Sequence, residues 1–229
     1  MTGDGRMSLR GLMCVVLACF VAICPAGLQA QASGRVKTPT SPRSHAVIET
    51  SVGSFEIELF EEDAPRTVEN FVKLAERSFF NGMRVHRVVR GVLIQTGDEK
   101  TKDLSRIDEW GTGGRSIWEK GFEDEINGSN PLYRDGYKKG MVVMANRGPH
   151  TNTSQFMILL KDLPFWPKNY SIFGRVIRGQ EVVDSIGSVD LVPILGPDDG
   201  RPTKEVVVKG VDIKVRSSSK ITQVSEQAR

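Results

Sequence analysis

The sequence of 229 residues is poor in the side chains that most often carry metal, redox or covalent chemistry. It has three cysteines, all before residue 25, and three widely spaced histidines, His45, His86 and His150. The rest of the chain therefore has no disulfide and no cysteine-based metal site, and the histidine spacing matches no common zinc motif. We expect neither a metal nor another cofactor.

An excess of charge of one sign is also absent. Lys and Arg total 31 against 28 Asp and Glu, which gives a formal net charge of +3. The basic residues are interspersed with acidic ones and form no stripe with aromatic residues, so we expect no nucleic-acid partner. The hydrophobic share of 39% and the charged share of 26% are typical of a soluble globular protein with an ample core.

Long apolar runs are missing except at residues 12–23, which follow Arg6 and Arg10 and precede small residues ending in Ala30-Gln31-Ala32. A basic flank, a short apolar run and a small-x-small site predict a cleavable signal peptide over residues 1–32. An uncleaved anchor helix is the alternative, but it would need about 20 apolar residues. We expect a secreted or periplasmic protein with no membrane span after cleavage.

Composition divides the rest of the chain into three parts. Residues 33–44, SGRVKTPTSPRS, are rich in Ser, Thr, Pro and basic residues and predict a flexible linker. Residues 45–215 carry the patterns of a folded domain. Residues 216–229 are polar and are predicted to be a disordered tail.

Alternation of apolar and polar residues predicts a mainly β domain. Strands are expected at residues 45–50, 54–60, 85–89, 92–96, 140–145, 154–160, 171–177 and 205–215, and helices after Pro65 and at residues 180–186. About eight strands with two capping α-helices favour a closed antiparallel barrel; a sandwich is the alternative. Residues 99–137 form a long polar segment, which is uncommon in a compact domain unless functional or partly structured.

Residues 85–98, VHRVVRGVLIQTGD, organise the domain. Two apolar strands flank a turn at Arg90-Gly91, and side chains alternate between the two faces of a strand. If the strands pair, Arg87 and Gln95 point to the same surface. A guanidinium and an amide on an otherwise apolar face are costly to leave without polar partners.

Four ordered motifs resemble the cyclophilins. They are VHRVVRGVLIQTGD, GTGG followed by FEDE, MANRGPHTNTSQFMI and IFGRVIRGQEVVDSI, spread over residues 45–215. By resemblance the chain is a divergent, secreted or periplasmic, bacterial-like member of that family. The resemblance implies an eight-stranded antiparallel barrel capped by two helices and peptidyl-prolyl cis/trans isomerase activity.

The resemblance places Arg87, Gln95 and Asn146 at the family's catalytic positions. An X-Pro bond rotates slowly because amide resonance must be broken. A fixed donor such as an arginine can hydrogen-bond the prolyl nitrogen and withdraw its lone pair from that resonance. Gln95 would orient Arg87 and the substrate carbonyl, and Asn146 would hold the substrate backbone.

The resemblance also implies a proline pocket with departures from the family pattern. Val92 and Met157 stand where the family has phenylalanines, Tyr170 where it has a histidine, and Arg90 where it has a turn proline. The register of the loop at Phe165 and Trp166 is left open. The implied substrate-binding residues are Val92, Leu93, Ala145, Gln155, Met157, Phe165, Trp166 and Tyr170.

The predicted function is acceleration of X-Pro rotation in exported proteins during folding, with weakened or altered activity, by a monomer whose partners are proline-containing polypeptides. The alternative is a non-catalytic, cyclophilin-like peptide-binding module or chaperone, which Val92 and Met157 favour. A hydrolase is not favoured, because the sequence shows no nucleophile and base at the spacing that such an enzyme needs. The sequence does not assign a role to the insertion at residues 100–110, and the acidic residues Glu123, Asp124 and Glu125 favour a solvated or structural loop.

Overall fold

The computed structural model describes residues 44–215 of the chain. The predicted signal peptide, the predicted linker up to residue 43 and the predicted tail at residues 216–229 lie outside the described residues. Ser44, which we assigned to the linker, already belongs to the first strand. Among residues 44–215, no helix is long and apolar enough to cross a membrane.

Ten strands, three α-helices and two 3₁₀ helices make up the described part of the chain. In chain order they are β1 (Ser44–Thr50), β2 (Gly53–Leu59), α1 (Pro65–Glu76), β3 (Arg87–Val89), β4 (Leu93–Thr96), the 3₁₀ helices Glu99–Lys102 and Leu104–Glu109, α2 (Pro131–Arg134), β5 (Met141–Met144), β6 (Phe156–Leu159), β7 (Ile172–Arg178), α3 (Gln180–Ile186), β8 (Leu191–Gly196), β9 (Asp199–Pro202) and β10 (Val208–Val215).

All ten strands join one antiparallel sheet in the order β10-β1-β2-β7-β5-β6-β4-β3-β9-β8. The predicted mainly β fold with few helices is confirmed. The predicted count of eight strands is wrong, because the sequence analysis missed the β8–β9 hairpin. A closed barrel is not confirmed, since the end strands β8 and β10 do not pair with each other in the described residues.

Backbone bonds outside the named strands add one further link. Residues just before β3 bond to the beginning of β10, through Gly82 N to Val208 O at 2.8 Å and Val85 N to Val206 O at 2.9 Å. This link fixes the start of β3, the strand that carries Arg87.

Helix α1 begins as its sequence predicts. Pro65 lies in its first turn, where its missing N–H costs nothing and its fixed φ favours the helix. The buried face of α1 presents Phe71 to Phe80, Phe156 and Phe173, with ring centroids 5.2, 5.7 and 5.5 Å away. These rings form the centre of the main hydrophobic core between α1 and the sheet.

The long polar segment at residues 99–137 is anchored by side chains that bond to its backbone. The Asp98 carboxylate accepts from the backbone N–H groups of Lys100, Gly111 and Gly113 at 2.9, 2.6 and 3.0 Å. The Asn70 side-chain oxygen accepts from Ile117 N at 2.9 Å. The segment therefore holds a defined path beside β4 with little regular secondary structure of its own.

Candidate active site

The β3–β4 pairing brings together the two polar side chains that the sequence placed on one surface. Arg87 lies directly opposite Gln95 in the antiparallel register. Opposed residues of an antiparallel pair project from the same face of the sheet. The predicted common surface of Arg87 and Gln95 is therefore confirmed.

Arg87 is held by a residue that the sequence analysis missed. Its Nε donates to Asp199 Oδ1 at 2.8 Å, and its Nη2 donates to Asp199 Oδ2 at 2.6 Å. The hydrogen bonds to this carboxylate raise the pKa of Arg87, against the opposing effect of burial. The guanidinium therefore stays charged and is fixed by a two-point contact.

We expected Gln95 to orient Arg87, and the structure corrects this. Within the described residues, Arg87 makes no side-chain hydrogen bond to Gln95. Gln95 Nε2 donates instead to Gln155 Oε1 at 2.9 Å. A carboxylate forms a charge-assisted, bidentate bond to a guanidinium that a neutral amide cannot match, so Asp199 takes the place expected of Gln95.

Gln155 links this amide pair to the GTGG segment. Its Nε2 donates to the carbonyl oxygens of Gly111 and Gly113 at 3.1 and 2.8 Å. Because its oxygen accepts from Gln95, the amide orientation of both glutamines is fixed in a chain of hydrogen bonds. Gln95 keeps its own side-chain oxygen available on the Arg87 face.

Asn146 lies just after β5 and separates two cavities. One of about 330 Å³ is lined by Gln95, Ala145, Asn146 and Gln155 together with the GTGG segment, and the other of about 510 Å³ by Asn146, Asn169 and Tyr170. Asn146 Nδ2 donates to Asn169 O at 2.8 Å. Both cavities are lined by Asn146, and we call the two together the trough; it lies next to the Gln95–Gln155 pair.

A second hydrophobic cluster forms the apolar floor of this region. Leu93 and Met157 are buried in it, and Val92, Ala145, Trp166 and Tyr170 are half-buried against it. The Trp166 ring lies on the Tyr170 ring with centroids 4.7 Å apart. The loop whose register the sequence left open thus places Trp166 on the cluster.

Phe165 does not lie on the second hydrophobic cluster. Its side chain is 96% exposed, and it belongs to neither hydrophobic cluster. The other ten predicted site residues surround the trough, the apolar cluster or the β3–β4 pair.

His86 is buried behind the site with only 4% of its surface exposed. Neither ring nitrogen has a hydrogen-bond partner among the described residues. Burial lowers its pKa to about 4, although the nearby Asp98 carboxylate opposes the shift. His86 is therefore neutral at physiological pH and is a residue of the buried interior.

The candidate site presents hydrogen-bond donors beside an apolar cluster and few other groups that could take part in a reaction. No group of His, Cys, Asp or Glu in the described residues could hold a metal ion. The charged donor Arg87, the amide pair and Asn146 can bind and polarise amide groups of a polypeptide without a covalent step. This chemistry suits a rotation about a bond better than a bond cleavage.

Asp199 had no local signal in the sequence. Asp198-Asp199-Gly200 is typical of a turn, and its partner is 112 residues away. The only available hint was Arg90 in the place of a turn proline. That residue now bonds to Asp198, with Arg90 N to Asp198 O at 2.7 Å.

Comparison with known proteins gives a family. The sequence model described as "Cyclophilin type peptidyl-prolyl cis-trans isomerase/CLD" matches residues 45–213. A relative from Arabidopsis thaliana, peptidyl-prolyl cis-trans isomerase CYP18-2, is 37% identical over 170 residues, which cover 74% of this chain and 93% of the relative.

Another relative is much longer than this chain. Peptidylprolyl isomerase domain and WD repeat-containing protein 1 from Mus musculus is 33% identical over 190 residues, which are 83% of this chain but 27% of the relative. The chain therefore spans about a quarter of that protein's length.

A solved structure supports the same grouping. A cyclophilin type peptidyl-prolyl cis-trans isomerase from Cryptosporidium parvum superposes with a TM-score of 0.64 at 29% identity, covering 76% of this chain and 99% of that one. A structure described as the same protein in the presence of the dipeptide Ala-Pro gives a TM-score of 0.61 at 30% identity.

Proposed function

Because this chain belongs to the cyclophilin-type peptidyl-prolyl cis-trans isomerase family and is an isomerase of that class, we propose that Arg87, Gln95 and Asn146 carry its reaction. The observation that supports this most is the pairing of β3 with β4, which sets Arg87 opposite Gln95 beside an apolar cluster. Arg87 and Gln95 belong to one sequence motif and Asn146 to another, and Gln95 and Asn146 both line the trough.

Arg87 supplies the donor for bond rotation. The barrier to rotation about an X-Pro bond comes from donation of the nitrogen lone pair into the carbonyl group and is about 18–20 kcal/mol. A hydrogen bond from the guanidinium to the prolyl nitrogen favours the twisted, pyramidal nitrogen of the transition state. Each reduction of about 1.4 kcal/mol in the barrier gives a tenfold gain in rate.

Gln95 and Asn146 hold the rest of the peptide. The Gln95 side chain projects from the same face of the sheet as Arg87, and Gln155 fixes its amide by accepting from Nε2. Asn146 stands between the two cavities, so an extended peptide crossing the trough passes its amide. Holding the residue before proline while the prolyl side is bound separately lets the bond turn between two fixed ends.

The proline ring is proposed to lie on the second hydrophobic cluster. Leu93 and Met157 form its buried floor, and Trp166 and Tyr170 form an aromatic side. Val92 and Met157 replace two family phenylalanines, and each lost methylene-sized contact is worth roughly 0.8 kcal/mol when buried. Trp166 offsets part of that loss, and we propose an isomerase with altered proline binding.

The test is NMR exchange spectroscopy on a peptide with one Ala-Pro bond and the full chain. Cis–trans exchange cross-peaks are expected with the wild type and should be lost with Arg87→Ala, because the donor to the prolyl nitrogen is removed. Arg115→Ala, an exposed arginine outside the β3–β4 pair, is the control and should leave the cross-peaks in place.

Two results would contradict the assignment. Undiminished exchange with Arg87→Ala would show that another group lowers the barrier. Shifted peptide resonances without exchange in the wild type would mean that the chain binds peptides without isomerising them, as the non-catalytic alternative holds.

We also propose that the clients are exported proteins and that the chain acts outside the cytoplasm as a monomer without a nucleic-acid partner. The support is the leader pattern of residues 1–32. Asn152-Thr153-Ser154 is also an N-glycosylation sequon, but Asn152 is fully buried and donates to Phe122 O at 3.0 Å, so the folded domain cannot carry a glycan there. This supports a compartment without sequon glycosylation, such as a periplasm. Cell fractionation and intact mass of the protein from its source test this. A cytoplasmic protein that keeps residues 1–32 would overturn it.

A further inference from the structure

The β8–β9 hairpin lies beside β3, the strand that carries Arg87, and is attached to β3 along one short stretch. Strand β9 pairs with β3 through Val88 opposite Gly200 and Val89 opposite Asp199, whereas β8 pairs with β9 alone in the described residues. The hairpin therefore reaches the site only through β9. Whatever holds β9 on β3 also sets the position of Asp199.

Arg90 makes that attachment. Its backbone N–H donates to Asp198 O at 2.7 Å, and its Nε lies 3.4 Å from Asp198 Oδ1. Its guanidinium also donates to the Ser188 and Val189 carbonyl oxygens at 3.3 and 3.2 Å. A proline at this position would have no N–H to donate. Arg90, which stands in the place of the family's turn proline, therefore supplies a hydrogen bond to the hairpin that a proline could not make.

The hairpin brings Asp199 to Arg87 in a geometry that uses only some of the N–H groups of the Arg87 guanidinium. A guanidinium has five N–H groups in one plane. Asp199 occupies two of them, one on Nε and one on Nη2, and the three that remain are one on Nη2 and two on Nη1. The side chain of Arg87 is 35% exposed and that of Asp199 18%. The carboxylate therefore occupies the Nε–Nη2 edge of the guanidinium, and the N–H groups on Nη1 make no hydrogen bond in the described residues.

We propose that Asp199 is a positioning residue for the isomerisation: carried by the β8–β9 hairpin, it locks the Arg87 guanidinium in one orientation with its free N–H groups turned toward the bound prolyl peptide. The proposal rests on the catalytic role of Arg87 proposed above.

The Asp199 carboxylate has two opposing effects on the isomerisation rate, and the larger of them determines whether it speeds or slows the reaction. Its negative charge weakens the pull of Arg87 on the prolyl nitrogen. Its two bonds also remove the rotamer freedom of a long side chain, which would otherwise have to be ordered in each turnover. Arginine remains fully ionised in either case, so its strength as a donor changes little, whereas a small misplacement of a catalytic group can cost up to about a hundredfold in rate. Orientation therefore dominates.

The experiment compares Asp199→Asn with Asp190→Asn in the full chain. Both variants remove one negative charge, but Asp190 is an exposed residue just before β8, and its side chain has no hydrogen bond or ion pair in the described residues. NMR titration and exchange spectroscopy with the Ala-Pro peptide give the dissociation constant and the exchange rate on the enzyme separately. Amide spectra and the unfolding midpoint confirm that each variant is folded.

Asp199→Asn should slow exchange on the enzyme about tenfold or more while changing the dissociation constant less than about twofold. Asp190→Asn should leave both values within about twofold of the wild type. In an Arg87→Lys background, which lacks the fork that Asp199 holds, Asp199→Asn should add no further loss, because residues that act through one another are not additive.

Three results would overturn the proposal. Faster exchange with Asp199→Asn would make Asp199 an inhibitory counter-ion, and an unchanged rate would make it a structural contact. Equal losses in the wild-type and the Arg87→Lys backgrounds would show that it acts independently of the guanidinium. A failure of the proposed catalytic role would be seen separately, since Arg87→Ala would then keep the wild-type rate.

Discussion

Individual side chains in the apolar cluster decide how this chain can bind proline. The family's phenylalanines are absent at Val92 and Met157, and aromatic surface comes instead from Trp166 packed on Tyr170. Aromatic pairs contribute about 0.5–1.5 kcal/mol beyond the area that they bury. In this chain the loop after β6 therefore supplies aromatic surface next to Leu93 and Met157.

Replacing Trp166 tests this at the residue scale. Trp166→Ala should weaken binding of the Ala-Pro peptide about tenfold, because it removes the ring that packs on Tyr170 beside the cluster. Its neighbour Phe165 is almost fully exposed, and Phe165→Ala should change affinity less than about twofold. NMR titration measures both constants. Similar losses in the two variants would show that the loop as a whole, and not the Trp166 ring, contacts the peptide.

The sequence predicted part of this site for a local reason. Arg87 and Gln95 are separated by one turn, so alternation and pairing place them on one surface without further information. Asp199 reaches Arg87 across 112 residues, and nothing in its neighbourhood reveals the contact. Phe165 and Trp166 are adjacent in a loop, where no period distinguishes the inward from the outward ring.

At the scale of elements, the beginning of α1 depends on a carboxylate from a distant loop. Its N-cap residue, Ala64, has no side chain that can cap. The Glu125 carboxylate accepts instead from Arg66 N at 3.0 Å, Thr67 N at 2.8 Å and the Thr67 hydroxyl at 2.7 Å. A negative charge at a helix N-terminus also interacts favourably with the helix dipole.

Glu125→Gln should therefore lower the free energy of unfolding by about 1–2 kcal/mol. The amide keeps one acceptor but loses the charge and presents N–H groups to other N–H groups. Glu123→Gln is the matched control, because Glu123 makes only an exposed ion pair with Arg66 and should cost less than about 0.5 kcal/mol. Urea unfolding gives both values. Equal losses would assign the effect to net charge instead of capping.

The helices and strands were predicted correctly where their sequence patterns lie within a short segment of the chain. The start of α1 at Pro65 and the span of α3 agree with the sequence, because a helix-starting proline and helical spacing are properties of short segments. Residues 99–137 were less predictable, since side chains such as Asn70 and Glu125 hold this segment in place through bonds across 47 or more residues. Strands β8 and β9 were missed because Pro193, Gly196 and Gly200 obscure the alternation.

The stability of the whole domain is expected to depend on pH through His86. Its pKa falls from 6.5 to about 4 on folding because burial disfavours the charged ring. Below pH 6.5 the unfolded chain binds a proton at this ring and the folded chain does not, so protonation favours unfolding. Stability is therefore lost as the pH falls from about 6.5 toward 4.

Between pH 7 and pH 5 the free energy of unfolding should fall by about 2 kcal/mol. His86→Leu should remove most of this slope, whereas His150→Gln should retain it, because His150 is exposed. Chemical unfolding at a series of pH values measures the slope. A His86→Leu domain that loses stability as steeply as the wild type would show that other groups take up the proton.

The hairpin that carries Asp199 also leaves the sheet with an exposed edge. Strand β8 is last in the strand order, and Ile194 and Leu195 on it are 58% and 75% exposed. Edges of this kind recruit strands from other molecules and begin aggregation. Pro193, in the middle of β8, has no N–H with which to continue a ladder. One proline in the edge strand thus makes it harder for copies of the protein to pair along β8 and aggregate.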